Sequence, residues 1–259
     1  MPHLAKILVY PIKSLDGVEV PQTHLWTGGA LAHDREFAMV DEAGKVVNAK
    51  RTSKIHQIRS AFDLDARMIT LWIEGSNAMQ SFHLDGDRPA LEDWLTDYFG
   101  YAIALQQNCH SGFPDDTDAS GPTVISTATL ETVAAWFGHS LEEARRRFRA
   151  NLEISHVPAF WEDQLFDAFG SGIPFKIGDL LLLSSHPCQR CVVPTRNPWT
   201  GDRSTDFQSK FSAHREATLP DGAPLSRFNH FYKLTLNTKV ALTEAGKILR
   251  LGDRVSDER

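Results

Sequence analysis

Residues 180–195 read Leu180-Leu181-Leu182-Leu183-Ser184-Ser185-His186-Pro187-Cys188-Gln189-Arg190-Cys191-Val192-Val193-Pro194-Thr195. A continuous apolar run is followed by a polar stretch that carries two cysteines in a Cys-x-x-Cys spacing. A short apolar run bounded by polar residues is typical of a buried β-strand. The segment therefore predicts a buried strand that ends in a polar turn bearing two thiols.

The first third of the chain has the pattern of a small β-barrel or sandwich. Short strand-like runs are separated by turns rich in Gly, Asn and Asp. A helix follows, with Asp87 placed to cap it, a proline in its first turn and its end near Gly100. We expect a domain boundary at this helix, which gives domains of residues 1–86 and 87–259. The strands predicted before it are Ala5–Val9, Glu36–Val40, Met68–Ile73 and Gln80–Leu84.

The second half is predicted to hold two helices and then strands only. Thr127–Gly138 has helical spacing, and Ser140-Leu141-Glu142-Glu143 is a capping box that opens a helix running toward Arg149. The expected fold class is mainly β (α+β), with a few helices and without alternating βαβ units. The predicted strands are Leu152–His156, Leu180–Ser184, Tyr232–Leu236 and Ile248–Val255.

Composition excludes several classes of function. The 259 residues are 42% hydrophobic and carry 27 Lys and Arg against 33 Asp and Glu. The net charge of −6 offers no general attraction to a nucleic-acid polymer or an anionic membrane, although a local basic pocket for one small anion is compatible with it. No apolar run approaches the roughly 20 residues of a membrane span, and no secretory signal is recognisable, so we expect a cytoplasmic protein.

Spacing alone leaves the chemistry of the cysteine pair open. Cys188 and Cys191 could form half of a structural zinc site, but the third cysteine, Cys109, has no Cys-x-x-Cys partner. A thioredoxin-like pair belongs at a helix N-terminus, whereas Pro194 follows here. The pair also matches half of the zinc deaminase signature, whose upstream His-x-Glu is missing. Two inert thiols at a strand end are the remaining interpretation.

Nucleotide motifs have no support in this sequence. The run Gly170-Ser171-Gly172 begins like a dinucleotide-binding fingerprint, but the third glycine and the helical pattern behind it are missing. No Gly-x-x-x-x-Gly-Lys loop is present either. NAD and ATP are therefore not expected.

Five segments in order along the chain resemble the MOSC superfamily, the molybdenum-cofactor sulfurase C-terminal domain proteins. They cover both halves of the sequence, so the resemblance does not depend on the cysteine motif alone. The segments are Tyr10-Pro11-Ile12-Lys13-Ser14, His33-Asp34-Arg35-Glu36-Phe37, Arg147-Phe148-Arg149-Ala150-Asn151, Phe160-Trp161-Glu162-Asp163, and Cys188-Gln189-Arg190-Cys191 continued through Asn197-Pro198-Trp199-Thr200-Gly201.

The resemblance implies an N-terminal β-barrel domain packed on a barrel-like MOSC domain, and a pterin-based molybdenum cofactor. The nearest members suggested are the amidoxime-reducing components and bacterial relatives that detoxify N-hydroxylaminopurines. By this resemblance Cys191 is the molybdenum ligand and the catalytic thiol, and Arg190 favours its thiolate form. The other residues implied to contact the cofactor are Lys13, Ser14, Arg35, Ser126, Arg149 and Asn151.

The implied function is the two-electron reduction of a small N-hydroxylated substrate. The electrons would come from a separate donor protein of the ferredoxin, flavodoxin or reductase type, because three cysteines cannot hold the usual four-cysteine iron–sulfur cluster. An alternative is a carrier that holds the cofactor, or a persulfide on Cys191, without turnover. The general acid stays open among His186, Glu162 and Asp163.

Overall fold

The computed structural model describes residues 1–167 and 172–257. Gly170 and Ser171 of the fingerprint-like run lie outside these residues. No helix within them is long and apolar enough to cross a membrane. The elements in chain order are β1 His3–Val9, β2 Val18–Glu19, β3 Gln22–His24, β4 Phe37–Val40, β5 Ile58–Asp63, β6 Met68–Ile73, β7 Gln80–His83, α1 Arg88–Phe99, β8 Ala104–Gln107, β9 Val124–Ser126, α2 Thr127–Phe137, α3 Leu141–Phe148, β10 Leu152–Ser155, β11 Pro174–Ile177, β12 Leu180–Gln189, α4 Phe207–Ala217, β13 Lys233–Lys239, β14 Ile248–Arg250 and β15 Val255–Asp257.

An eight-stranded sheet forms the frame of the molecule, in the order β15-β11-β12-β13-β9-β10-β1-β2. All neighbouring strands are antiparallel except β9 and β10, which run parallel. Helices α2 and α3 make the connection between these two, as a parallel pair requires a long crossover. The mainly β (α+β) class is confirmed, and this crossover is the one parallel connection in the large sheet.

Three smaller sheets complete the β-structure of the described residues. β5, β6 and β7 form an antiparallel meander, β4 pairs with β8, and β3 pairs with β14. The last pairing joins the third strand of the chain to its penultimate one. The first three strands are therefore divided between two sheets, because β1 and β2 belong to the large sheet and β3 pairs with β14.

The helix after Asp87 packs on the N-terminal side of the molecule. Leu91, Leu95 and Phe99 of α1 share a hydrophobic cluster with residues of β5, β6 and β7. Pro89 lies in its first turn and Gly100 ends it in the left-handed conformation, but the Asp87 side chain makes no capping hydrogen bond. The boundary after residue 86 stays a prediction, and this packing joins α1 to the segments that precede it.

Helix α4 is the main element that the sequence pattern did not predict. It has only Phe207 and Phe211 as large apolar residues, and its third buried side chain is Arg215. A pair of aromatic residues one turn apart is too little periodicity to identify a helix. Helix α2 was predicted from its helical spacing and α3 from the capping box at Ser140. In the structure Ser126 and Ser140 cap these helices, each accepting a hydrogen bond from the backbone N–H three residues on.

Arg215 anchors a buried cluster of two carboxyl groups. It pairs with Asp163, and its guanidinium lies 4.4 Å from the centre of the Phe160 ring. Glu162 is buried next to this pair, with a single guanidinium available to two acids. Burial, and then the Asp163 carboxylate, raises the pKa of Glu162 well above its usual range. Glu162 therefore keeps its proton in the folded protein where the unfolded chain loses it.

We expect Glu162→Gln to flatten the pH dependence of stability. Because the folded-state pKa is raised, Glu162 makes its full contribution to the free energy of unfolding below the ordinary pKa of glutamate. That contribution falls by up to about 1.4 kcal/mol per pH unit as the pH rises toward the folded-state pKa. Urea unfolding from pH 5 to 8 measures the slope. The exposed Glu131→Gln on α2 is the matched control and should keep the wild-type slope; an unchanged slope in Glu162→Gln would contradict the assignment.

Candidate functional site

Most of the residues that the sequence singled out line one cavity of about 830 Å³. Strands β1, β12 and β13 of the large sheet contribute to its wall, through Leu8, Cys188 and Lys233 respectively. The predicted site residues that line it are Lys13, Ser14, Arg35, Arg149, Arg190 and Cys191.

Three of these residues have left-handed backbone conformations. The φ angles are 76° at Ser14, 51° at Arg35 and 50° at Arg149. Arg149 occupies the C-cap of α3, a position at which glycine is the usual and less strained residue. Non-glycine residues in this region cost of order 1–3 kcal/mol each and cluster at functional sites. At these three backbone positions glycine would be less strained, yet each holds a side chain that lines the cavity.

The ring of Tyr10 lies against the guanidinium groups of Arg149 and Arg35. The Arg149 guanidinium lies 4.0 Å from the centre of its ring, and that of Arg35 lies 5.7 Å away. Burial raises the pKa of Tyr10 to about 12, so its hydroxyl stays protonated and donates a hydrogen bond of 3.2 Å to the Ala150 carbonyl. The ring is therefore an uncharged platform on which both guanidinium groups rest.

Arg149, unlike Arg35, has no acidic partner among the described residues. Its Nη2 donates a 2.7 Å hydrogen bond to the Leu15 carbonyl, and no carboxylate of the described residues lies within ion-pair distance. Arg35, in contrast, pairs with the neighbouring Asp34. Burial lowers the pKa of Arg149, which reflects the cost of holding this charge partly out of water. An anion in the cavity would offset that cost.

Lys13 is already engaged by a carboxylate. Its Nζ lies 2.9 Å from Asp115 Oδ1 and donates a 2.8 Å hydrogen bond to the Phe113 carbonyl. Lys50 Nζ lies 3.1 Å from the same Asp115 oxygen. Burial would raise the pKa of Asp115, but the two ammonium groups lower it well below its usual range. The loop carboxylate thus occupies the position that an anionic ligand of Lys13 would take.

The cavity wall is strongly basic although the protein is acidic. Among its described lining residues are twelve Lys and Arg against six Asp and Glu. His56 on this wall reports the resulting potential: burial, and then the charges of Arg149, Arg196 and neighbouring guanidinium groups, lower its pKa to about 4. His56 is therefore neutral at pH 7, and the cavity favours a negatively charged ligand.

The two cysteines occupy different environments at the end of β12. Arg190 Nη1 lies 3.3 Å from Cys188 Sγ, so the guanidinium contacts the first thiol and not Cys191 as the resemblance implied. Within the described residues Cys191 Sγ has no hydrogen-bond partner. The backbone of Arg190 is itself fixed, because its main-chain N–H donates a 3.0 Å hydrogen bond to the Tyr232 carbonyl. Both thiols line the cavity, and of the two only that of Cys191 has no hydrogen-bond partner among the described residues.

Arg147 holds the segment that follows the cysteines. It is 4% exposed, donates a 2.8 Å hydrogen bond to the Pro194 carbonyl and also bonds to the Arg196 carbonyl. Its other nitrogens pair with Glu143 one helical turn earlier. The two preceding arginines of α3 are also held by ion pairs, Arg145 with Glu153 and Arg146 with Asp16.

Two predicted cofactor contacts lie outside the cavity lining. Ser126 is fully buried and caps α2. The Asn151 side chain bonds to the Leu8 carbonyl at 3.0 Å and to Thr123 at 3.1 Å, so it ties β1 to β9. Ser120, six residues before Ser126, does line the cavity and donates a 2.8 Å hydrogen bond to the Gly28 carbonyl.

Of the three acids and bases left open by the sequence, one lines the cavity. His186 Nε2 lies 2.8 Å from Asp116 Oδ2, and Asn237 Nδ2 donates to the same oxygen at 3.0 Å. Glu162 and Asp163 are in the buried cluster with Arg215. Within the described part of the chain, no group of three or more His, Cys, Asp and Glu side chains could enclose a metal ion by itself.

Family comparisons agree with this arrangement. The profile of the MOSC N-terminal beta barrel domain matches residues 1–97, and that of the MOSC domain matches residues 117–256. The chain belongs to the MOSC family. This confirms the resemblance drawn from the five segments.

Curated relatives are proteins called molybdenum cofactor sulfurase. Those of Drosophila melanogaster and Drosophila grimshawi are 26% and 25% identical, each over 87% of this chain. That of Bos taurus is 22% identical over 96% of the chain. The chain spans about a third of the length of these relatives, 32% in each case. Together with the family, they support a function related to the molybdenum cofactor.

Asp115→Asn should strengthen anion binding by the cofactor-free protein. Removing the carboxylate frees Lys13 and Lys50, and an exposed pair of this kind changes affinity about threefold to fivefold. Calorimetric titration with inorganic phosphate measures the change. Asp118→Asn removes the same charge from the same loop without a lysine contact and should leave the affinity as it was; equal affinities for both variants would show that Asp115 does not compete.

Proposed function

We propose that the cavity binds a pterin-based molybdenum cofactor, with Cys191 as a ligand of molybdenum, and that the protein reduces N-hydroxylated compounds. The observation that carries this proposal is the meeting of a free thiol and a group of desolvated cations on one cavity wall. The cavity volume of about 830 Å³ is near the upper end of the range for small-molecule sites. It leaves room for a substrate beside the cofactor.

The donor set fits such a cofactor. Guanidinium groups bind phosphate through paired hydrogen bonds, and Arg149 and Arg35 present two of them over the Tyr10 ring. Lys13 adds a point charge once Asp115 is displaced. These three residues would hold the phosphate of the pterin, and the serine hydroxyls of the wall would meet its polar edge. The cofactor orientation then follows from the position of the phosphate.

Cys191 fits the metal better than Cys188 does. A soft thiolate suits a molybdenum ion that already has two sulfur ligands from the pterin. The Cys191 thiol has no competing partner among the described residues, whereas Cys188 is contacted by Arg190. The Arg147 hydrogen bonds to the Pro194 and Arg196 carbonyls keep the segment after Cys191 in place. Bound in this way, the cofactor would supply a two-electron redox couple next to the substrate.

The proposed reaction breaks the N–O bond of the substrate. It consumes two electrons and two protons and yields the N–H compound and water. The electrons would come from a separate donor protein of the ferredoxin, flavodoxin or reductase type, because the three cysteines of this sequence cannot hold a four-cysteine cluster. The residues of the cavity wall contribute binding, orientation and a positive potential that retains anionic groups.

Replacing a cation of the phosphate site should lower cofactor retention. We expect Lys13→Ala, Arg35→Ala and Arg149→Ala each to weaken binding roughly tenfold or more, since a charge-assisted hydrogen bond contributes about 1.5–3 kcal/mol. Arg149→Ala is the clearest case, because it leaves no ion-paired carboxylate without a partner. Fluorescence of the released pterin measures occupancy, with the exposed Arg250→Ala as control. Full occupancy in all three variants would remove these residues from the phosphate site.

The two thiols should behave differently. Cys191→Ser is expected to abolish reduction of a hydroxylamine by reduced viologen and to lower molybdenum content, because a serine hydroxyl stays protonated near neutral pH and is a weaker, harder ligand than a thiolate. Cys188→Ser should keep substantial activity, and Cys109→Ser should be nearly silent. Equal inactivation of the Cys188 and Cys191 variants would indicate a dithiol mechanism. Bound molybdenum without any reductase activity would instead favour the cofactor carrier.

A further inference from the structure

A second group of cations lies on the cavity wall beside the cysteine segment. Arg227 Nη2 donates a 2.6 Å hydrogen bond to the Ser185 carbonyl. Lys233 pairs with Gln189 in the register of β12 and β13, which places it across from the residue between Cys188 and Arg190. Both side chains line the cavity. The proposed phosphate site does not use either of them.

These two charges have no acid to balance them. Lys233 Nζ donates to the Arg227 carbonyl at 2.8 Å and to Asn229 Oδ1 at 2.7 Å, both neutral acceptors. No carboxylate of residues 1–167 or 172–257 lies within ion-pair distance of Lys233 or Arg227. Burial, and then the positive charge of Arg227, lowers the pKa of Lys233. Two cations that repel each other on a half-buried wall are stabilised when an anion binds between them.

The strand order distinguishes this pair from the phosphate site. β9 and β10 lie between β13 and β1 in the sheet, so Lys233 is three strands away from the strand that leads to Lys13. Cys191 lies two residues beyond Gln189, on the side of the Arg227–Lys233 pair. A ligand bound at the pair would therefore be next to the proposed reaction centre.

From this we infer that Arg227 and Lys233 form a binding site for an anionic group of the substrate. The preferred substrates are then N-hydroxylated compounds that carry a carboxylate or a phosphate. The inference rests on the proposed function for the identity of the reacting group, but the anion site follows from the two cations alone. Arg supplies a planar, bidentate contact for either anion, and Lys supplies a point charge.

The test compares benzamidoxime with 4-carboxybenzamidoxime, which differ by one carboxylate. With the cofactor-loaded protein and reduced viologen, we expect kcat/KM to be at least about tenfold higher for the carboxylated compound. Lys233→Gln and Arg227→Gln should bring the ratio close to one. Lys239→Gln, an exposed residue at the other end of β13, should keep the wild-type ratio. A ratio near one in the wild-type protein, or an unchanged ratio in both variants, would overturn the site.

A binding measurement separates this inference from the proposed function. Without an electron donor there is no turnover, so calorimetry with the loaded protein gives the dissociation constant of each compound directly. Tighter binding of 4-carboxybenzamidoxime to the wild-type protein than to either variant supports the anion site, whether or not the compounds are reduced. Failure of the loaded protein to reduce either compound contradicts the proposed reductase and leaves the anion site standing. Loss of pterin and molybdenum from the two variants would assign the pair to the cofactor and reject the substrate site.

Discussion

The gathering of cations on one cavity wall is the constraint on which the rest of the structure depends. Like charges brought close together out of water repel one another, and the twelve cationic side chains of the cavity wall outnumber its six carboxylates. Burial first, and then neighbouring positive charges, lower the pKa of His56 and that of Arg149. A protein with a net charge of −6 holds this arrangement only through strong local restraints.

The restraints are hydrogen bonds from guanidinium groups to backbone carbonyls. Arg149 bonds to Leu15, Arg147 to Pro194 and Arg227 to Ser185, so each side chain ties two distant segments together. Arg147 also pairs with Glu143, but Arg149 and Arg227 have no carboxylate partner among the described residues, so their positive charges are positioned without being cancelled. The same contacts that build the cavity therefore leave it with a positive potential. Left-handed backbone at Ser14, Arg35 and Arg149 is a further cost that the surrounding fold supports.

Sequence patterns predicted the parts of this structure that are determined locally. The strand that begins at Leu180 and the capping box of α3 depend on neighbouring residues and were recognisable. The strand is longer than predicted, because it continues past Ser184 through Cys188 to Gln189. Helix α4 was not, because tertiary contacts of Phe207, Phe211 and Arg215 stabilise it and little else marks it.

The candidate site shows the same limit of local information. Ser126, which the resemblance implied to contact the cofactor, is a helix cap, while Ser120 reaches the cavity through the course of a loop that no periodicity describes. Arg190 turned out to contact Cys188 because the bonds to Tyr232 and Phe148 fix its direction. The pairing of Lys13 with Asp115 spans 102 residues of sequence. Only the register of β12 and β13 shows that Lys233, and with it Arg227, lies beside the cysteine segment. Long-range placement of charge is what the sequence alone could not supply.

The central claim is that Cys191 binds the metal of a cofactor held by the basic wall. Molybdenum K-edge absorption spectroscopy of the loaded protein counts the sulfur ligands directly. The account predicts three sulfur ligands in the wild-type protein and in Cys188→Ser, and two in Cys191→Ser, because the pterin supplies the other two. The same sulfur count in wild-type protein and in Cys191→Ser would contradict it.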